Sequence, residues 1–136
     1  MLTPVEVNAA LETMWPGARC ACVEVTREVA VSELSVTPDD LRPGGFVSGP
    51  TLFAAADAAL WFLAFGVAER VQPLALTSDL AIRFLRPARG RVVRARATLE
   101  RATRRTVIGT VRVWMDDDQE STCATAQGTY VAPDAG

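Results

Sequence analysis

The run TLFAAADAALWFLAFGVA, Thr51 to Ala68, holds eighteen residues and a single ionisable side chain, Asp57. A helix that is apolar nearly all round must be surrounded by other structure. Its length approaches that of a membrane span. The charge at Asp57, the alanine-rich faces and the strand-like remainder of the chain favour a protein core instead. Small residues at Ala54, Ala55, Ala58 and Ala59 suit close approach by other backbone.

Working outward, Thr3, Pro4 and Glu6 form a helix start with a physical basis. A hydroxyl N-cap is followed by proline in the first turn and a glutamate able to close a capping box. Val5, Leu11 and Met14 are expected as the apolar face of a helix over 3–15, which Pro16 and Gly17 end. Arg19 to Thr37 alternates as a β-hairpin, broken at Arg27 and Glu28. Pro38 to Gly45 has loop composition. Beyond the central helix, predicted to span about 50–70, strands are expected at Leu74 to Leu85, Arg91 to Arg101, Thr106 to Met115 and Ser121 to Val131. Helix segregated from a run of antiparallel strands is the α+β pattern, with one sheet covering the long helix.

The chain has 136 residues, 49% hydrophobic, with a formal net charge of −2, which is one domain, 1–136, able to build its own core. All 14 basic residues are Arg, and neither Lys nor His occurs. That inventory excludes Ser-His-Asp and Cys-His nucleophiles, His-ligated metals, Schiff-base lysines and the P-loop. Chemistry must therefore run on carboxylates, hydroxyls, backbone amides or water, with no metal and no resident cofactor. Cys20, Cys22 and Cys123 lack C-x-x-C spacing, and their odd number suits a reducing compartment. The N-terminus lacks the pattern of a secretory signal, so a cytoplasmic location is expected.

Four features could carry chemistry. Asp57 is costly in an apolar helix unless paired or hydrogen-bonded, and no neighbour one turn away, at Phe53, Ala54, Leu60 or Trp61, can pair with it. It is a candidate general base or nucleophile, or else a carboxylate bonded to another strand. Val47 to Thr51, containing Ser48, Gly49 and Pro50, opens the helix with amides that lack internal partners and could receive an oxyanion, though most helices begin this way and bind nothing. Thr77, Ser78 and Asp79 interrupt an apolar strand, where alternation puts Thr77 and Asp79 on one face with Ala75, Ala81 and Arg83. Nine of the arginines fall between Arg83 and Arg105. They form either a solvated strand pair or a surface for phosphate or nucleic acid, the latter disfavoured by a sequence pI of about 5.1.

Taken together, SGPTLFAAADAAL and LTSDLAIRFLRPARG resemble the hot-dog-fold thioesterases of the phenylacetic-acid-degradation (PaaI-like) type. That family commonly has His-Gly-Gly, then an acidic residue on the central helix seven positions after the last glycine. Counting back from Asp57 places Ser48, Gly49 and Pro50 there, a Ser-Gly-Pro variant of the motif. The second block is matched by Thr77, Asp79, Phe84, Arg86, Pro87 and Ala88. Where relatives often carry Asn or Gln in the loop before the helix, this chain has Arg42 and Pro43.

The resemblance implies a sheet wrapped around the long helix, subunits paired as a homodimer or a dimer of dimers, and hydrolysis of acyl-coenzyme A thioesters. It implies that Asp57 acts as base or nucleophile, that the Gly49 N–H receives the thioester carbonyl, and that Thr77 positions water. Ser48, Pro50, Arg42, Ser78 and Arg86 would then contact the substrate, with guanidinium groups on its phosphates. Independently of the family, Gly49 and Asp57 are eight residues apart, or roughly 12 Å along a helix. One carbonyl cannot touch both, so a catalytic reading needs two chains sharing a site. The main alternative is a non-catalytic acyl-CoA or acyl-carrier-protein binding protein of the same fold. A hot-dog dehydratase suits the chain less, because that chemistry usually leans on histidine. Neither nucleic acid nor membrane is expected as a partner.

Overall fold

The computed structural model describes residues 1–132, so positions 133–136 of the expected domain lie outside the described residues. Helix α1 (Pro4–Met14) starts with the capping box expected of it: Thr3 Oγ1 accepts from the Glu6 N–H and the Glu6 carboxylate from the Thr3 N–H, both at 3.2 Å. Its buried face is Val7 and Leu11, one turn apart, rather than the expected Val5, Leu11 and Met14. Val5 is left 78% exposed and Met14 42%. The helix lies on β1, the strand it meets in the fold, and only the Val7 and Leu11 stripe faces inward.

The hairpin forms as β1 (Cys20–Val25) and β2 (Val29–Ser35). The expected loop is more ordered than its composition suggests, containing a 3-10 turn at Pro38–Asp40 and a two-residue pair, β3 (Leu41–Arg42) with β4 (Phe46–Val47). Helix α2 (Gly49–Ala68) follows, and then β5 (Leu76–Phe84), β6 (Val92–Ala102), β7 (Thr106–Met115) and β8 (Ala124–Val131). The last strand starts three residues later than expected because Asp118 to Ser121 is held in a turn by backbone bonds back to Met115 and Asp118.

Six strands make one antiparallel sheet in the order β1-β2-β6-β7-β8-β5, and α2 contacts all of them. This is the α+β arrangement read from the sequence. Phe62, Phe65, Leu60 and Leu63 are almost completely enclosed, each burial contributing roughly 1.5–3 kcal/mol. The helix is apolar and long enough to cross a membrane, yet it is the core of this sheet. Gly66 lets it come close: a Cβ there would lie 1.9 Å from the Thr26 carbonyl oxygen in the β1–β2 turn.

One detail of β5 departs from simple alternation. Thr77 pairs with Tyr130 but Asp79 with Thr129, so Ser78 is the extra residue of a β-bulge. The bulge puts Thr77 on the helix-facing side with Leu80 and Ile82, which pack on the core, while Asp79, Ala81 and Arg83 stay exposed. Thr77 and Asp79 therefore do not share a face.

Candidate active site

Asp57 lies near the middle of α2 and is half-buried. Its neighbours on the helix offer no partner, and two strands supply them instead. Oδ1 accepts a hydrogen bond from Thr77 Oγ1 at 2.7 Å and another from the Tyr130 hydroxyl at 2.7 Å. Thr77 and Tyr130 are direct cross-strand partners on β5 and β8, so one register and one bulge aim both hydroxyls at the same oxygen. Burial pushes the Tyr130 phenol upward, and the Asp57 carboxylate beside it acts in the same direction. The phenol thus stays protonated and can only donate to the carboxylate.

These three residues form the polar end of a cavity of about 690 Å³. Its apolar wall includes Leu11, Trp15, Trp61 and Phe62. Trp15 meets Trp61 edge to face at 5.8 Å, and the Trp61 indole donates to the Gln72 carbonyl at 3.3 Å. Of the aromatic residues on α2, Trp61 and Phe62 reach the cavity, whereas Phe65 is wholly core. Cys20 also lines it, with its thiol pushed up to about 11 chiefly by burial.

A second cluster holds the start of α2. Asp40, only 5% exposed, receives both terminal nitrogens of Arg19 at 2.7 Å, the Thr37 N–H and hydroxyl at 2.8 and 3.1 Å, and the Thr51 hydroxyl at 2.9 Å. The Arg19 guanidinium holds the Asp40 carboxyl well below the usual carboxylate range. The Asp40 carbonyl accepts from the Ser48 N–H at 2.8 Å, tying the turn to the helix. Ser48 does not cap a backbone amide; its Oγ lies 3.0 Å from the Thr51 hydroxyl.

Gly49 abuts the Phe84 ring, where a Cβ would come within 3.1 Å. It opens on a cavity of about 580 Å³ that Arg42, Phe46, Phe84 and Arg86 also line. The fold thus gathers Gly49, Arg42 and Arg86 at one place, and Asp57 and Thr77 at another. Pro50 is exposed in the first turn beside Gly49, and Ser78 is exposed on the bulge; neither lines either cavity. The arginine run is dispersed. Arg94 bonds Glu33, Asp117 and the Asp116 carbonyl, and Arg89 lies over the Phe46 ring at 4.1 Å. Among the described residues no three His, Cys, Asp or Glu side chains are grouped to hold a metal ion.

Sequence reasoning missed Tyr130, Asp40 and Arg19. Tyr130 is the only tyrosine in the chain, and an isolated polar aromatic in a predicted strand was its one available signal. Asp40 reads as turn composition, and its partner Arg19 is 21 positions away, beyond any local pattern.

The sequence profile of the thioesterase superfamily matches residues 44–122. A search of curated proteins finds no match. Among solved structures, the proposed thioesterase TM1040_1390 of Silicibacter sp. TM1040 is similar at 27% identity and a TM-score of 0.83, covering 98% of this chain and 93% of that one. Thioesterase HI1161 of Haemophilus influenzae shares the fold at 16% identity and a TM-score of 0.81, covering 98% and 92%. So does the PaaI protein of the E. coli phenylacetic acid degradation operon, at 22% identity and 0.69, covering 91% and 88%. The profile takes in more than half the chain, from the glycines before α2 through the turn before β8, and on that match the chain belongs to the thioesterase superfamily, with its hot-dog fold.

Proposed function

We propose that this protein is a PaaI-like acyl-CoA thioesterase whose active sites are shared between two copies, each combining Asp57 of one chain with the helix start of the other. The observation that carries the reading is the arrangement of Asp57: the one carboxylate on the core helix, held by two strand hydroxyls, at the polar end of a large apolar cavity. Asp57 takes a proton from water, whose oxygen bonds to the thioester carbonyl carbon. The Gly49 N–H of the second copy steadies the oxyanion. Collapse breaks the C–S bond, and the thiolate leaves with the proton. The exposed Thr77 hydroxyl, already donating to Asp57, can accept a hydrogen bond from that water.

Two features support the second copy. Gly49 and Asp57 open on different cavities of one chain. Edge strand β5 is exposed at seven of its nine residues, with Leu76 70% and Phe84 52% exposed, and an open edge of this length, charged only at Asp79 and Arg83, calls for a covering strand. Arg42 and Arg86, which line the cavity at Gly49, would meet the coenzyme A end of the substrate, with Ser48, Pro50 and Ser78 as further contacts, and the three free cysteines suit a cytoplasmic protein. The test is thiol release over short, branched, aromatic and long acyl-CoAs by wild type and Asp57→Asn. Release by wild type that falls at least about a hundredfold in the variant supports the reading. If both are inert on every thioester yet bind coenzyme A, the protein is a binding module instead.

A further inference from the structure

Both hydroxyls that reach Asp57 donate to the same oxygen. Thr77 and Tyr130 each lie 2.7 Å from Oδ1, and Oδ2 has no hydrogen-bond partner among the described residues. The two donors differ in setting. Thr77 is exposed at the sheet edge, whereas Tyr130 is 5% exposed and packed into the core. A carboxylate pinned at one oxygen by two donors cannot rotate freely about its terminal bond, and the unpinned oxygen is directed to the side the donors leave open.

We propose that Tyr130 is a positioning residue of the thioesterase site: by anchoring Oδ1 it assigns the proton transfer to Oδ2. The inference rests on the reading of Asp57 given above. Water gives its proton to Oδ2, its oxygen forms the new bond to the carbonyl carbon, the C–S bond breaks, and Oδ2 returns the proton to the departing sulfur. Tyr130 keeps its own proton throughout. It acts through Asp57 and takes no part in bond making.

Tyr130→Phe removes one oxygen and leaves the ring in place. In thiol-release assays on the acyl-CoAs that wild type hydrolyses, kcat should fall about 10- to 100-fold, the loss expected of a hydrogen bond to a charged group, while KM stays within about twofold. A purely structural role would lower the melting temperature and the active fraction without this split at full folding, so rates are normalised to the folded fraction from circular dichroism. An unchanged kcat, or a raised KM with kcat intact, overturns the proposal while leaving the thioesterase reading standing. If wild type itself is inert on every thioester, the parent reading fails and takes this one with it.

A second measurement keeps Tyr130 in place and does not depend on Tyr130→Phe folding. Because Tyr130 is the only tyrosine, growth on 3-fluorotyrosine gives a protein with one fluorine resonance. That resonance should move in Asp57→Ala, which removes the acceptor, and report the lost contact. A resonance that stays put in a folded Asp57→Ala protein overturns the anchoring.

Discussion

Replacing Asp40 by Asn tests what holds the start of the central helix. The carboxylate is acceptor-only and receives five donors, two at Oδ1 and three at Oδ2. An amide can keep an oxygen on one side alone. With the oxygen kept toward Thr37, its NH₂ group would face an Arg19 nitrogen and the Thr51 hydroxyl, donor against donor. Thr51 can turn to Ser48, 3.0 Å away, and Arg19, 45% exposed, can recover water, so its share is discounted for solvent screening. What remains is the mismatch at a nearly buried position, worth about 2–3 kcal/mol. For a chain of this size that corresponds to a melting temperature lower by roughly 6–12 °C at pH 7. The pH dependence follows from the depressed carboxyl of Asp40. A group whose folded-state value is lowered stabilises fully above its unfolded value, about 3.9, and loses that contribution as pH falls through the folded value. The gap between wild type and Asp40→Asn should therefore hold from pH 7 to about pH 5 and narrow below about pH 4. Scanning calorimetry at fixed protein concentration measures it. A gap under about 2 °C at pH 7, or one that persists undiminished at the acid end, would refute the reasoning.

Gly66→Ala puts a methyl group 1.9 Å from the Thr26 carbonyl oxygen, about 1.4 Å inside an ordinary C···O contact. Because the obstacle is backbone, the helix must retreat from the hairpin, and urea denaturation should show a loss of about 3 kcal/mol or more; a loss below about 1 kcal/mol would mean the approach is looser than it looks. The shared site can be tested by subunit exchange. Asp57→Asn and Gly49→Val, each inactive alone, should recover about a quarter of wild-type thiol release when unfolded and refolded together, since about half the dimers are mixed and one of their two sites is intact. No recovery, with mixed dimers demonstrated by mass, would place both groups in one chain.

The central helix and its Asp57 were legible because composition alone makes a run of alanine, leucine and aromatic residues a core element, and its one carboxylate stands out against them. The capping box at Thr3 and Glu6 was equally readable, being a contact three residues long. The face of α1 was not: hydrophobicity at Val5, Val7, Leu11 and Met14 is similar, and only docking on β1 selects Val7 and Leu11. The candidate site was half legible. Asp57, Gly49 and Thr77 are found through spacing and motif, but the bulge at Ser78 that turns Thr77 toward the helix is invisible to a two-residue alternation.

By itself, then, the sequence determined the inventory: a chain without histidine or lysine, one buried helix with one carboxylate, and strands enough to wrap it. Only the tertiary structure decided who meets whom. Tyr130 lies 73 positions from Asp57 and Asp40 lies 21 from Arg19, and such pairs exist because sheet register and helix docking bring them together. Local propensities act over a few residues, whereas a half-buried carboxylate takes its donors from whatever the packed sheet places within hydrogen-bond reach.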